Sequence, residues 1–362
     1  MKAFPANRSL KVCARILTAR RYANRRRREP PSGVKITMKN PTQASTNPYP
    51  FSDSNKRYYT YDCYLRRTYG KKCRKIPLDG GFTCPNRDGK CGVGGCAFCS
   101  GRGSGDTAAP AVLSIYEQYK RVSETLVGKW GEDVLNIPYF QAYTGTYAPL
   151  EVLREKYEAA LELPNLAELC IATRADCLED ETLLYLESLS RRAHICIELG
   201  LQSIHDETAR LMNRGHDYAA FLNGYSRLHK LAPSVDICVH LIFGLPGEDR
   251  LMMLESVKAV AALHPDRVKL HLLHVLRGTK LAEMYASNDF KTLSLEEYVE
   301  TVADSLELLP PDTVICRLTG DGLPDELIAP EWSRKKLTVI NDIDKLLFSR
   351  DSYQGKKYLN DF

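Results

Sequence analysis

From about residue 75 onward, short apolar runs alternate with longer stretches whose apolar residues return every three or four positions. The runs NIPYFQAY (136–143), ELCIATR (168–174), HICIELGLQ (194–202), VDICVHLIFG (235–244) and RVKLHLLHV (267–275) read as strands, and one more strand is expected just before Cys84. The stretches between them, 111–130, 149–162, 179–191, 217–231 and 249–264, read as amphipathic helices. The strands are near-continuously apolar, as expected when helices cover the outer face of a parallel sheet. Strand and helix repeated about six times make an α/β fold, either a doubly wound sheet or a partial barrel. Both architectures gather ligands at the carboxyl ends of the strands. Cys84, Gln141, Thr144, Arg174, Asp176, Glu198, Gln202, Gly244 and His271 all fall at or just past such ends.

After Arg277 the rhythm changes to a helix over 294–309, a strand TVICRLTG (313–320) and a tail ending in Lys356 and Lys357, whose charges read as solvated surface. A chain of 362 residues accommodates one large α/β domain or two ordinary ones. Its 44% apolar and 26% charged residues suit a soluble globular protein. No apolar run reaches the roughly 20 residues that span a bilayer, so no membrane association is expected.

The net charge of +5 is unevenly spread. Residues 1–37 hold 11 Lys and Arg, including the block Arg25–Arg28, against the single acid Glu29, whereas the remainder has 39 basic and 44 acidic residues. A globally basic nucleic-acid-binding surface is therefore not supported, although a local patch stays open. The leader lacks apolar periodicity and reads as disordered. Its Arg-rich, acid-poor composition fits either an organellar transit peptide or sequence upstream of a start at Met38, and no secretory signal is present. A cytoplasmic protein is the expectation.

Twelve cysteines in a long chain without a secretory signal point to thiolate chemistry in a reducing compartment rather than to disulfides. Cys84, Cys91, Cys96 and Cys99 share one loop with five glycines, FTCPNRDGKCGVGGCAFCSG. Cys96 and Cys99 form a CxxC pair, whose spacer lets both sulfurs reach one metal or cluster. Zinc would call for a second close pair or nearby histidines. A thioredoxin-like pair would open a helix and needs no third cysteine. Three thiolates holding a [4Fe-4S] cluster with one iron left open fit such a loop, where glycines let backbone amides approach the sulfurs.

The segments GGFTCPNRDGKCGVGGCAFC, YFQAYTGTYAP, IATRADCL, ELGLQSIHDETARLMNRGHD, HLIFGLPGE and KLHLLHVLRGT together resemble the YhcC-like branch of the radical S-adenosylmethionine (SAM) superfamily. This branch is related to the radical SAM domain of the elongator catalytic subunit. The likeness runs from about Tyr58 to about Glu331. It implies a partial, roughly (β/α)6 TIM-like barrel. It also implies an enzyme that reductively cleaves SAM to a 5′-deoxyadenosyl radical, which takes hydrogen from a substrate. Cys84, Cys96 and Cys99 match the ligand spacing of the branch, and Cys91 falls where the branch requires no cysteine. By the same resemblance, Gln141, Tyr143 and Thr144 lie where relatives hold the methionine amino group. Glu198 and Gln202 lie near the ribose hydroxyls, and Gly244, Leu245 and Gly247 where backbone meets adenine. An electron donor such as flavodoxin or ferredoxin is implied, and the substrate, tRNA or a small metabolite, is not given.

The domain expectation is a leader over 1–37, a radical SAM barrel over 38–275 with the cluster loop at 84–99, and an extension over 276–362 covering the barrel mouth. Two further readings stay open: a tRNA-binding module with a structural iron-sulfur cluster, and a zinc-binding structural protein. Individual residues also carry plainer readings. Cys170, Cys196, Cys238 and Cys316 read as small core thiols. Arg174 and Asp176 can simply pair, Glu198 can serve a barrel-interior salt bridge, and GLPGE can be a turn. His216, His271 and His274 can be structural rather than substrate-positioning.

Overall fold

The structure, a computed structural model, describes residues 47–358 apart from 132, 321, 323 and 324, so the leader and Met38 lie outside the described residues. Helix α1 (Tyr61–Tyr69) precedes the alternating units β1 (Cys73–Leu78), α2 (Ile115–Trp130), β2 (Leu135–Phe140), α3 (Leu150–Leu161), β3 (Glu168–Thr173), α4 (Asp180–Leu189) and β4 (His194–Gln202). There follow α5 (Asp206–Leu211), α6 (Tyr218–Leu231), β5 (Asp236–Phe243), α7 (Arg250–Leu263) and β6 (Arg267–Leu272). The last part adds β7 (Val275–Leu276), α8 (Lys280–Ala286), α9 (Leu295–Leu308), β8 (Val314–Arg317), β9 (Leu327–Ala329) and α10 (Lys336–Ser349).

Seven strands pair in parallel in the order β1-β2-β3-β4-β5-β6-β8. That order separates the two architectures the sequence left open. A doubly wound sheet reverses its strand order at a switch point. Here the order never reverses, so crossovers of one hand place the helices on one face and the sheet curls into a half-barrel. Its edge strands β1 and β8 stay apart, and α1 packs against both, with a bridge from Thr60 to Ile315.

Alternation along the strands decides which side chains enter the barrel. On β3, Leu169 and Ile171 pack outward with Tyr157 and Leu186, while Glu168 and Cys170 point to the interior. Each fully buried Leu, Ile or Val contributes roughly 1.5–3 kcal/mol, and the outer core extends through Phe140, Ile197, Val239, Leu270 and Val302. The interior holds Cys73, Cys170, Cys196 and Cys238 against Tyr61, Tyr64 and Tyr69. Cys316 packs on the same cluster. The strand thiols are thus core side chains.

Below that layer Arg267, only 1% exposed, grips Glu168 with two hydrogen bonds of 2.6 and 2.8 Å and reaches Asp236 at 3.0 Å. Burial would raise the Glu168 pKa, but the Arg267 guanidinium holds it down at about 2. The half-barrel therefore has an ion-paired floor.

Local signals account for the shifted boundaries. The stretch expected as a helix from 111 starts at Ile115, because Ser114 and Glu117 form a reciprocal capping box. The run 267–275 divides: β6 ends at Leu272, and β7 leaves the sheet to pair antiparallel with β9. The strand expected after residue 312 is β8, which joins the main sheet beside β6.

Candidate functional site

Between β1 and α2 the chain runs from 79 to 114 without helix or strand. Turns fold this loop on itself: Arg87 N–H donates to the Cys84 carbonyl at 2.8 Å, Cys91 to Pro85 at 2.9 Å, Gly95 to Asn86 at 2.8 Å and Cys99 to Cys96 at 2.9 Å. The loop is then pinned to the far side of the barrel mouth. Ala97 N–H donates to the Met212 carbonyl at 3.0 Å, and Leu281 N–H, at the start of α8, donates to the Ala97 carbonyl at 2.8 Å. The CxxC spacer thus bridges the β4 side and the C-terminal part.

Cys96 is buried, Cys84 and Cys99 half-buried and Cys91 exposed. Arg214 Nη1 lies 3.3 Å from Cys96 Sγ, and Asn86 Nδ2 lies 3.7 Å from it. Ser104 Oγ stands 3.9 Å from Cys99 Sγ. Burial, followed by the neighbouring Cys96, pushes the Cys99 thiol up, while Arg87 and Ser104 pull it down. The Cys91 sulfur accepts from Arg174 Nη2 at 3.5 Å. Burial raises the Cys91 pKa, with Arg174 opposing.

The donor chemistry fits an iron-sulfur cluster better than a single zinc ion. Among the described residues, the groups of Cys, His and carboxylate whose ligand atoms all lie within 4.8 Å are Cys170–Cys196–Glu198 and Glu198–Cys238–His240, and the loop cysteines form no such set. A tetrahedral zinc site would bring its sulfurs closer, with each bond about 2.3 Å. Both compact groups centre on Glu198, whose carboxylate two lysines already hold, so a dication there meets their repulsion.

The exit of β2 is stitched onto the same loop. Gln141 Nε2 donates to the Ser104 carbonyl at 2.7 Å, Thr144 N–H to the Thr83 carbonyl at 3.2 Å and Tyr143 Oη to the Gly101 carbonyl at 3.0 Å. Tyr143 has φ +58°, a conformation most side chains avoid. Its ring lies where a side chain on residue 103 would be: a Cβ on Gly103 would come within 2.4 Å of it. At the end of β4, Gln202 also has a positive φ, +73°, and its Oε1 is buried without a partner. Strained backbone at two strand ends, one with an unmatched polar atom, marks a site whose geometry is held by its surroundings. Gln202, Leu245, Phe98, Met212 and Arg214 line one small recess. Gly244 and Gly247 flank Leu245 with φ of +86° and +85°.

Glu198 lies lower. Its side chain is 1% exposed, inside the barrel, with Lys75 Nζ at 2.5 Å, His240 Nε2 at 3.1 Å and Lys269 Nζ in direct contact. Burial would raise its pKa, but Lys269 and Lys75 hold it well below the usual carboxylate range. This is the barrel-interior salt bridge among the sequence readings, and it sits apart from Gln202 in the recess. Next to it, the His271 ring lies tilted against that of His240 with centroids 5.1 Å apart, and its Nε2 is buried without a partner. His274 Nε2 is likewise unmatched, and the ring is wedged against Gly320. Burial and neighbouring cations keep both rings neutral: His271 falls well below its ordinary value and His274 to about 4.

Arg174 and Asp176 pair through two hydrogen bonds of 2.9 and 2.7 Å. They stand beside a cleft of about 610 Å³ between the cysteine loop and the exits of β2 and β3, lined among others by Thr83, Cys91, Tyr147, Asp176 and Glu179. Nothing in the sequence alone marks Arg214, Asn86 and Phe98. They lie 10 to 118 positions from the thiols they serve or directly between them, and no local spacing marks them.

The sequence profile of the radical SAM superfamily matches residues 86–260, and that of the radical SAM C-terminal domain matches 265–348. The uncharacterized protein YtqA of Bacillus subtilis is 46% identical over 310 residues, covering 86% of this chain and 95% of YtqA. Protein YhcC of Escherichia coli is 35% identical over 291 residues, covering 78% of this chain and 90% of YhcC. A tRNA uridine(34) acetyltransferase of Methanocaldococcus infernus is 32% identical over 157 residues, 42% of this chain and 28% of that enzyme. Among solved structures, the Elp3 of Methanocaldococcus infernus superposes with a TM-score of 0.54 at 19% identity, covering 80% of this chain and 68% of that one. That likeness supports the fold alone.

Proposed function

The chain belongs to the radical SAM superfamily, in the branch of YtqA and YhcC, with a [4Fe-4S] cluster and SAM as cofactors, and on that premise we propose that it is a hydrogen-abstracting enzyme acting on tRNA or a small metabolite. The observation that carries this reading is the convergence of the cysteine loop, with N–H groups directed at Cys96, and the strained, unmatched Gln202 on one barrel mouth. When bound, the cluster and SAM supply one-electron cleavage of a sulfonium to a 5′-deoxyadenosyl radical.

The chain's own residues then have these tasks. Cys84, Cys96 and Cys99 hold the cluster, and Cys91, turned toward Arg174, is left outside the ligand set. Gln141, Tyr143 and Thr144 receive the methionine end of SAM, Gln202 the ribose, and Gly244, Leu245 and Gly247 the adenine. Glu198 supports this pocket from below as the centre of an ion cluster rather than as a ligand. Within the 276–362 extension, α8 covers the mouth, a reading supported by the bond from Leu281 to Ala97, while β8 belongs to the barrel sheet. A small protein reductant of the flavodoxin or ferredoxin type delivers the electron. The tRNA substrate draws on the shared segment with the tRNA uridine(34) acetyltransferase, and the acidic balance of residues 38–362 asks for a local contact rather than a basic face.

Anaerobic reconstitution tests the proposal. About four irons per chain, a broad absorbance near about 400 nm of the iron-sulfur type and 5′-deoxyadenosine formed from SAM with a strong reductant are expected. Bound zinc without iron, or a full cluster that never yields 5′-deoxyadenosine, would overturn it. Deuterium carried into 5′-deoxyadenosine from labelled total tRNA or from a labelled metabolite fraction identifies the substrate class.

A further inference from the structure

The segment Asn213-Arg214-Gly215-His216, between α5 and α6, reaches across to the cysteine loop. Asn213 Nδ2 donates to the carbonyls of Val93 at 3.1 Å and Gly95 at 2.8 Å, which fixes the backbone leading into Cys96. Gly215 has φ +73°, and a Cβ there would stand 2.9 Å from Asn86 Oδ1 and 3.0 Å from Cys91 Sγ, so a side chain would push the loop away. Between them, Arg214 sends Nη1 to Cys96 Sγ at 3.3 Å and Nη2 to the Gly200 carbonyl of β4 at 2.7 Å. His216 holds that arginine from behind, with Nε2 3.2 Å from Nη2 and Nδ1 3.1 Å from the Asp217 carbonyl. Burial and then the Arg214 cation push His216 down to about 4, so the neutral ring donates from Nδ1 and accepts at Nε2.

Arg214 is 7% exposed, so solvent screens its charge little. The Arg214 guanidinium directs its bonded donors at the Cys96 sulfur, the Gly200 carbonyl and the His216 ring, so its charge is fixed beside the sulfur. Unlike lysine, it keeps its charge whatever the surroundings.

We propose that Arg214, oriented by His216, is a positioning residue that raises the reduction potential of the cluster through Cys96. The inference rests on Cys96 being a cluster ligand. A hydrogen bond to a ligand sulfur withdraws electron density from the iron, and a fixed positive charge beside the cluster favours the form carrying one more electron. Both effects make the electron easier to accept.

The test is a mediated redox titration of the reconstituted protein, followed by the spectrum of the reduced cluster, with iron counted in every sample. Arg214→Met should move the midpoint to a more negative potential with about four irons retained, and Arg214→Lys should fall between it and the parent. His216→Ala should shift the midpoint in the same direction by less, and His216→Gln, whose amide oxygen accepts the same hydrogen bond, should restore it. A midpoint in Arg214→Met equal to the parent's overturns the inference. Where that variant loses iron, His216→Ala decides, and an unshifted midpoint there overturns it equally. A parent protein that binds no iron-sulfur cluster overturns both this inference and the proposed function, which separates the two failures.

Discussion

Replacing Glu198 by Gln keeps the shape of the side chain and removes the one anion between Lys75 and Lys269 in the barrel interior. Breaking a buried ion pair from one side costs about 3–5 kcal/mol, because the remaining charge stays desolvated. Two features of this site set where in that range the loss falls. Lys75 lies 4.1 Å from the Tyr139 ring centroid and 5.6 Å from that of Tyr61, so part of its charge stays compensated. Lys269 escapes by losing its proton, since burial already pushes its pKa down and Lys75 adds to that. Neutralising an ordinary lysine at pH 7 costs about 4.6 kcal/mol, which is the ceiling for that escape. A loss of about 3 kcal/mol is therefore expected in anaerobic denaturant titration, with iron content and SAM affinity close to the parent's. Adding Lys269→Met should recover part of it, because the stranded cation is removed. A contact to the ribose would behave differently: about 1.5–3 kcal/mol of binding, or roughly tenfold to a hundredfold in the SAM dissociation constant, would be lost while stability held. Unchanged stability beside such a weakened affinity would refute the reasoning and return Glu198 to the cofactor pocket.

Ala at Cys84, Cys96 or Cys99 should abolish retention of a full cluster, whereas Cys91→Ala should keep about four irons per chain; iron analysis that finds the reverse at Cys91 and Cys96 would redraw the ligand set. Gln202→Gly should relieve a left-handed backbone worth roughly 1–2 kcal/mol and leave the melting temperature equal or higher, while SAM binding weakens; equilibrium binding that matches the parent would remove Gln202 from the pocket. Stability should also fall with pH below neutrality. His240 and His274 are both pushed down to about 4, by burial first and then by Lys269 for His240 and Lys336 for His274. Each takes up its proton only on unfolding between about pH 4 and the unfolded value near 6.5, so stability is full above that window and declines through it by up to about 1.4 kcal/mol per pH unit per ring. His194 works in the opposite sense, since Asp236 and Glu168 hold its pKa up against burial. Denaturation midpoints that stay flat from pH 7.5 to 5.5 would contradict the neutral, buried rings.

The βα rhythm was legible in the sequence because the helix-facing positions of the strands, such as Ile195, Ile197 and Leu199 of β4, are apolar, and because a helix shows its period within a dozen residues. Local signals carried the cysteine loop equally well: Cys84, Cys96 and Cys99 lie within sixteen positions, and their spacing and glycines are read in one glance along the chain. What the sequence could not settle was everything decided across strands. Whether the sheet doubles back or curls depends on the order in which remote strands pair, and that order separates the half-barrel from the doubly wound sheet. The same holds for Glu198 and Gln202, four residues apart on β4. Their side chains part company where the pairing with β5 shifts between Gly200 and Gln202, and one meets lysines from β1 and β6 while the other turns up into the recess beside Phe98. Arg214 is the extreme case. It lies 118 positions from the sulfur it contacts, and only the curling of the sheet brings the two within 3.3 Å, since electrostatics and hydrogen bonding depend on distance in space and not along the chain.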